Sequence, residues 1–167
     1  MGLIESYKRL RHALGFGVHS PSAYRYVREV VRLPQGMAYY AYRTLPETPA
    51  TIDCRLLYRV ALDLRPATYA VACGNASQRR AIAAVIRAAS PGAMPAGCDA
   101  DSADMVVACA GADTRIDYRV AVAVPASHPL VSRRCSRGGS GHVYRSASAA
   151  IIREDVRVPF QIFEISF

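Results

Sequence analysis

Asp104-Met105-Val106-Val107-Ala108-Cys109 and Arg119-Val120-Ala121-Val122-Ala123-Val124 are the two stretches that decide the fold class. A strand with one wet face alternates apolar and polar residues. These runs do not alternate, so both of their faces are buried, as in a parallel sheet covered by helices. Thr68 to Cys73 is a third run of this kind. Between it and Met105, residues Ala81, Ile82, Val85, Ile86 and Ala89 recur at helical spacing. The order predicts an α/β chain with parallel strands at its centre.

The pattern changes on either side. His142 to Arg145, Ala147 to Arg153 and Phe160 to Ser166 read as strands joined by short links, which predicts an antiparallel C-terminal edge. Upstream, Asp53 is placed to cap a helix running to about Leu64, with Leu57, Val60, Ala61 and Leu64 facing the core and Arg65-Pro66 ending it. Ser20-Pro21 opens another helix, with Ala23, Tyr26, Val27, Val30 and Val31 as its apolar stripe. Leu3 to Leu14 reads as a third helix, ended by Gly15 and Gly17. The two prolines in residues 44–50 separate an N-terminal helical module, residues 1–43, from an α/β core, residues 44–167. That link is too short to demand independent domains, so one compact unit is expected.

A chain of 167 residues with a hydrophobic fraction of 51% can bury a core and is not expected to be disordered. No apolar run reaches membrane-spanning length, and no charged-then-apolar leader opens the chain. Cys54, Cys73, Cys98, Cys109 and Cys135 contain no Cys-x-x-Cys pair and are odd in number. They read as small core residues in a reducing compartment, hence as a cytoplasmic protein, although Cys73 and Cys109 each end an apolar strand where a thiol could face a pocket. Net charge is +8, and Lys8 is the sole lysine among 21 basic residues. The arginines are scattered. Any nucleic-acid binding is therefore expected to be weak and strongly salt-dependent.

Gly15-Phe16-Gly17-Val18-His19-Ser20-Pro21 and Tyr39-Tyr40-Ala41-Tyr42-Arg43 together resemble the N-terminal signature of a group of small bacterial class I S-adenosylmethionine-dependent methyltransferases. Ile151-Ile152-Arg153 and Phe160-Gln161-Ile162-Phe163 resemble the last two strands of that family. The resemblance implies a reduced Rossmann-like methyltransferase sheet, with parallel strands first and an antiparallel pair last. It also implies a cofactor loop after the first strand. That stretch is Val71-Ala72-Cys73-Gly74-Asn75-Ala76-Ser77-Gln78. Gly74 matches the first family glycine, so Gly74 and the adjacent Asn75 are the cofactor-binding positions the resemblance carries over. The other two glycines fall at Ala76 and Gln78, and the acidic residue before the first glycine falls at Ala72. Taken alone, Gly74 reads as a turn residue between strand and helix.

Other family positions depart as well. Asp99 and Asp101 are the only acidic candidates for the ribose contact, and their setting reads as a solvated turn. Cys109 stands where metal-assisted relatives carry an aspartate, and Val124-Pro125-Ala126-Ser127-His128 keeps the family histidine without its carboxylates. Neither a metal site nor a general base is supported, and His128 reads as a hydrogen-bonded surface residue. His19 is expected to order the glycine turn. Arg133-Arg134-Cys135-Ser136-Arg137-Gly138-Gly139, the densest basic stretch, reads as a solvated loop with phosphate binding as the rival reading. The expectation is a methyltransferase-like protein with a degenerate cofactor site and no catalytic residues. It would need no cofactor and serve an interaction or scaffold role toward an unidentified protein partner. The alternatives are an active enzyme that binds S-adenosylmethionine in an atypical pocket, and a weak arginine-mediated nucleic-acid-binding module.

Overall fold

The computed structural model describes residues 20–32, 43, 45, 53–97, 100–112 and 115–165. The two deciding stretches form neighbouring parallel strands, β3 (Ser102–Cys109) and β4 (Asp117–Val124), paired from Ser102 opposite Asp117 to Cys109 opposite Val124. β1 (Thr68–Ala72) pairs parallel with β3 on the other side. β2 (Met94–Pro95), β5 (His142–Arg145), β6 (Ala150–Arg153) and β7 (Gln161–Glu164) complete a seven-stranded sheet in the order β2-β1-β3-β4-β6-β5-β7. The protein is α/β, with a mixed, mostly parallel sheet.

The antiparallel part is built differently from the simple terminal pair that the sequence predicts. β6 runs antiparallel to both neighbours, β4 and β5, while β7 pairs parallel with β5. The reversal thus falls on one strand inside the sheet. β2 has no counterpart in the sequence reading, because two residues, one of them proline, cannot show a strand period.

Side chains of successive strand residues point to opposite faces, which explains the two separate cores. On one face Tyr69, Met105, Val107, Val120, Val122 and Ile151 meet three helices. These are α1 (Pro21–Tyr26), continued by a π-helical turn (Val27–Val31), then α2 (Cys54–Leu64) and α3 (Ala76–Ala89). On the other face Val106, Ala108, Ala121, Ala123 and Ile152 meet Leu130 and Val131 of α4 (Pro129–Arg137). Leu57, Ile82 and Ile86 are fully buried, and each such side chain contributes about 1.5–3 kcal/mol of transfer free energy.

The helix starts follow local chemistry. Ser20 and Asp53 accept hydrogen bonds from the first free N–H groups of α1 and α2, and Arg65 closes α2 in the left-handed conformation. Arg59 on α2 donates to the carbonyls of Val30 and Val31, both at 2.8 Å, which ties α2 to the π-helical turn. The described part of the N-terminal module therefore shares the sheet's core. The expected helix at Leu3 to Leu14 and most of the glycine and tyrosine signatures lie outside the described residues.

Two expectations are corrected here. Residues 129–137 are helix, not a solvated loop. His128 caps α4, Pro129 takes its first position, and Leu130, Val131 and Arg134 are buried at helical spacing. Cys73 and Cys109 are not separate core thiols but a disulfide, 36 residues apart in sequence. The β1–β3 register places Ala72 opposite Ala108, so the next residue of each strand meets the other.

Candidate functional site

Ligands of open α/β sheets bind beyond the carboxyl ends of the strands. Here that place is the end of β1 and β3, where the chain runs Cys73-Gly74-Asn75 into α3. The disulfide sits at this edge with its Cα atoms 4.9 Å apart, and both cysteines are buried. Arg79, in the first turn of α3, folds back over the loop. Its Nη1 donates to the Cys73 carbonyl at 2.6 Å and to the Gly74 carbonyl at 3.1 Å.

The two sequence-predicted site residues lie together in this loop, with structural roles. Asn75 is the N-cap of α3, its Oδ1 accepting from the Ser77 N–H at 2.8 Å and the Gln78 N–H at 3.4 Å. The helix N-terminus that would receive an anion is thus satisfied by its own cap. Gly74 is exposed, and a Cβ there would meet nothing within 4 Å. Its glycine is not demanded by a close contact. A cavity of about 590 Å³ opens beside the loop, lined by Tyr69, Ala70, Ala83, Pro95, Ala96 and Ile116 together with Arg79 and Arg80.

The later family positions do not converge on this edge as a reactive set. His128 is hydrogen-bonded as expected, but it is 2% exposed rather than a surface residue. Its Nδ1 accepts from the Leu130 N–H at 3.1 Å, so Nε2 carries the proton and donates to the Ala112 carbonyl at 2.9 Å. Both ring nitrogens are engaged in holding the start of α4. Asp101 is exposed, and its carbonyl accepts from the Asp117 N–H at 2.9 Å. Asp99 and His19 lie outside the described residues. Among the described residues no group of three His, Cys, Asp or Glu side chains is placed to hold a metal ion, and no helix is long and apolar enough to cross a membrane.

Two further groupings go beyond the sequence reading, which marks Arg133, Arg134 and Arg137 of the first only as part of a basic stretch. A cavity of about 320 Å³ lies between the start of β4 and α4, lined by Arg115, Ile116, Asp117, Tyr118, Leu130, Arg133, Arg134 and Arg137. Under α1, Arg153 pairs with Asp155 at 2.5 Å and Asp63 at 3.7 Å, and lies 4.4 Å from the centre of the Tyr26 ring. The Tyr26 and Tyr144 rings meet nearby in a tilted pair with centroids 4.9 Å apart, and burial pushes both phenols well above their ordinary range. Packing of Tyr26 on α1 and Asp63 on α2 against Tyr144 and Arg153 of the sheet creates this cluster, so no local spacing could have announced it.

Compared with family models, with curated proteins and with solved structures, the chain finds no match.

Proposed function

We propose that the chain is a methyltransferase-like scaffold whose cofactor edge is closed, and that it serves an interaction or scaffold role rather than methyl transfer. The observation that carries this reading is the joint closure at the end of β1. The disulfide ties Cys73 to Cys109, Arg79 occupies the Cys73 and Gly74 carbonyls, and Asn75 fills the α3 cap. Parallel β1, β3 and β4 precede antiparallel β6 in chain order, which supports the reading, while β7, parallel to β5, departs from the terminal pair that the resemblance implies.

The residues at this edge do not fit S-adenosylmethionine. A nucleoside cofactor needs backbone approach at the loop and a carboxylate for the ribose hydroxyls. The loop offers Ala72, Ala76 and Gln78 at the positions where the family has a carboxylate and two glycines. Calorimetric titration tests the reading. S-adenosylmethionine should give no binding tighter than about millimolar.

The second reading, an active enzyme with an atypical pocket, draws on the 590 Å³ cavity beside Arg79 and Arg80, which is large enough for a nucleoside. Micromolar binding lost in Arg80→Glu would favour it.

A further inference from the structure

The cavity between β4 and α4 concentrates positive charge around an apolar floor. Arg133 and Arg137 are four residues apart on α4, hence on one helix face, and both are exposed. Arg115, also exposed, enters the lining from the segment before β4. Ile116 and Leu130 contribute apolar surface, and Tyr118 a half-buried phenol. Asp117 is the acidic residue of the lining.

The fourth arginine has a different task. Arg134 is 5% exposed and pairs with Glu154 at 2.9 Å. It donates to the carbonyls of Gly138 and Ser140 and lies over the Phe160 ring. It therefore anchors the end of α4 and fixes the helix that carries Arg133 and Arg137. Glu154 is half-exposed and bound to Arg134. The Tyr118 hydroxyl is pushed up to about 12, by burial first and by Glu154 second, against the pull of the nearby arginines. It stays a neutral hydrogen-bond donor at physiological pH.

We infer that this cavity is a binding site for a small phosphate ester, with the phosphate held by Arg115, Arg133 and Arg137 and the organic part resting on Ile116 and Leu130. Planar guanidiniums match phosphate oxygens in forked, charge-assisted pairs. The volume suits a compact ligand, at the lower end of the usual range of about 300–1,000 Å³. An apolar floor has no use for a bare inorganic ion, which favours an ester. The site lies at the start of β4, away from the closed edge at the end of β1, and does not depend on the reading of that edge.

Titration with phenyl phosphate, inorganic phosphate and phenol, followed by calorimetry and by phosphorus NMR, tests the assignment. Phenyl phosphate should bind, inorganic phosphate more weakly, and phenol not measurably. Arg133→Gln and Arg137→Gln should each weaken phenyl phosphate by about tenfold, since a charge-assisted bond is lost. Both side chains are exposed, and a thermal melt of each variant checks that the fold is kept. Arg87→Gln, an exposed change on α3 across the sheet, should leave binding intact. The inference is overturned if phenyl phosphate fails to bind, if phenol binds as well, or if Arg87→Gln weakens binding equally. It is also overturned if mixed-sequence DNA binds more tightly and is lost in the same variants, which would mark a nucleic-acid surface instead.

Discussion

His142 is 1% exposed in β5, its Nδ1 3.0 Å from the Tyr144 hydroxyl and its ring edge-on to Phe163. Burial first, and the Arg153 charge second, hold its pKa below the ordinary 6.5, while Asp155 pulls the other way. A depressed folded value means that protonation favours the unfolded chain. The stability this residue contributes is complete above about 6.5 and falls as pH drops toward the folded value, by up to about 1.4 kcal/mol per pH unit. Urea unfolding at pH 7 and pH 5 should show that loss, and His142→Phe should flatten it; an unchanged slope would refute the assignment. Asp104 behaves as an ordinary carboxylate clamp. Burial would raise its pKa, but the Thr68 and Ala67 N–H groups and Arg119 outweigh it and hold the carboxyl low. Its contribution is present above about 3.8 and is lost as pH falls further. Asp104→Asn should cost roughly 1 kcal/mol at neutral pH by chemical denaturation, from weakened hydrogen bonds between β1 and β3. At this scale the caps Ser20 and Asp53 were legible, because a cap is written within three residues of its helix. His142 was not, because its burial and its contact with Phe163 arise only once β5 and β7 pair.

α4 shows how an element can be hidden by its own composition. Five of its nine residues, Ser132, Arg133, Arg134, Ser136 and Arg137, look solvated in sequence. Yet Arg134 is internal, and Gly141 makes room for it. Gly141 sits at φ +130°, and a Cβ there would lie 2.6 Å from the Arg153 carbonyl oxygen and 2.8 Å from Arg134 Nη2. Gly141→Ala should destabilise the fold by about 1–3 kcal/mol, read as a lower denaturation midpoint with unchanged m-value. Arg134→Met keeps the volume and loses the bonds to Gly138, Ser140 and Glu154. It should cost about 2 kcal/mol or more. A neutral result for both would mean that the end of α4 is not anchored in this way. The strands β3 and β4 were plain in the sequence because burial on both faces leaves residues 105–109 and 120–124 without a polar side chain; β1 shows a similar apolar run although only its Tyr69 is buried. β2 gave no such signal, and the antiparallel placement of β6 follows from packing rather than from any pattern inside Ala150–Arg153.

Across the whole molecule, the disulfide connects the strand edge at which α/β sheets bind ligands, and it closes a long loop of chain. Replacing Cys73 and Cys109 together by serine should lower stability by about 2–4 kcal/mol. The sequence displayed directly the departures at Ala72, Ala76 and Gln78 from the pattern of the family it resembles. It could not display the bond, because cysteines 36 residues apart become neighbours only through the β1–β3 register. The central claim is that Cys73–Cys109, Arg79 and the Asn75 cap close the cofactor edge. A crystal structure of the oxidised protein grown at millimolar S-adenosylmethionine tests it most directly. The account predicts Arg79 on the Cys73 and Gly74 carbonyls, the disulfide intact and no cofactor density over the loop; adenosyl density beside Gly74 with Arg79 swung away would contradict it.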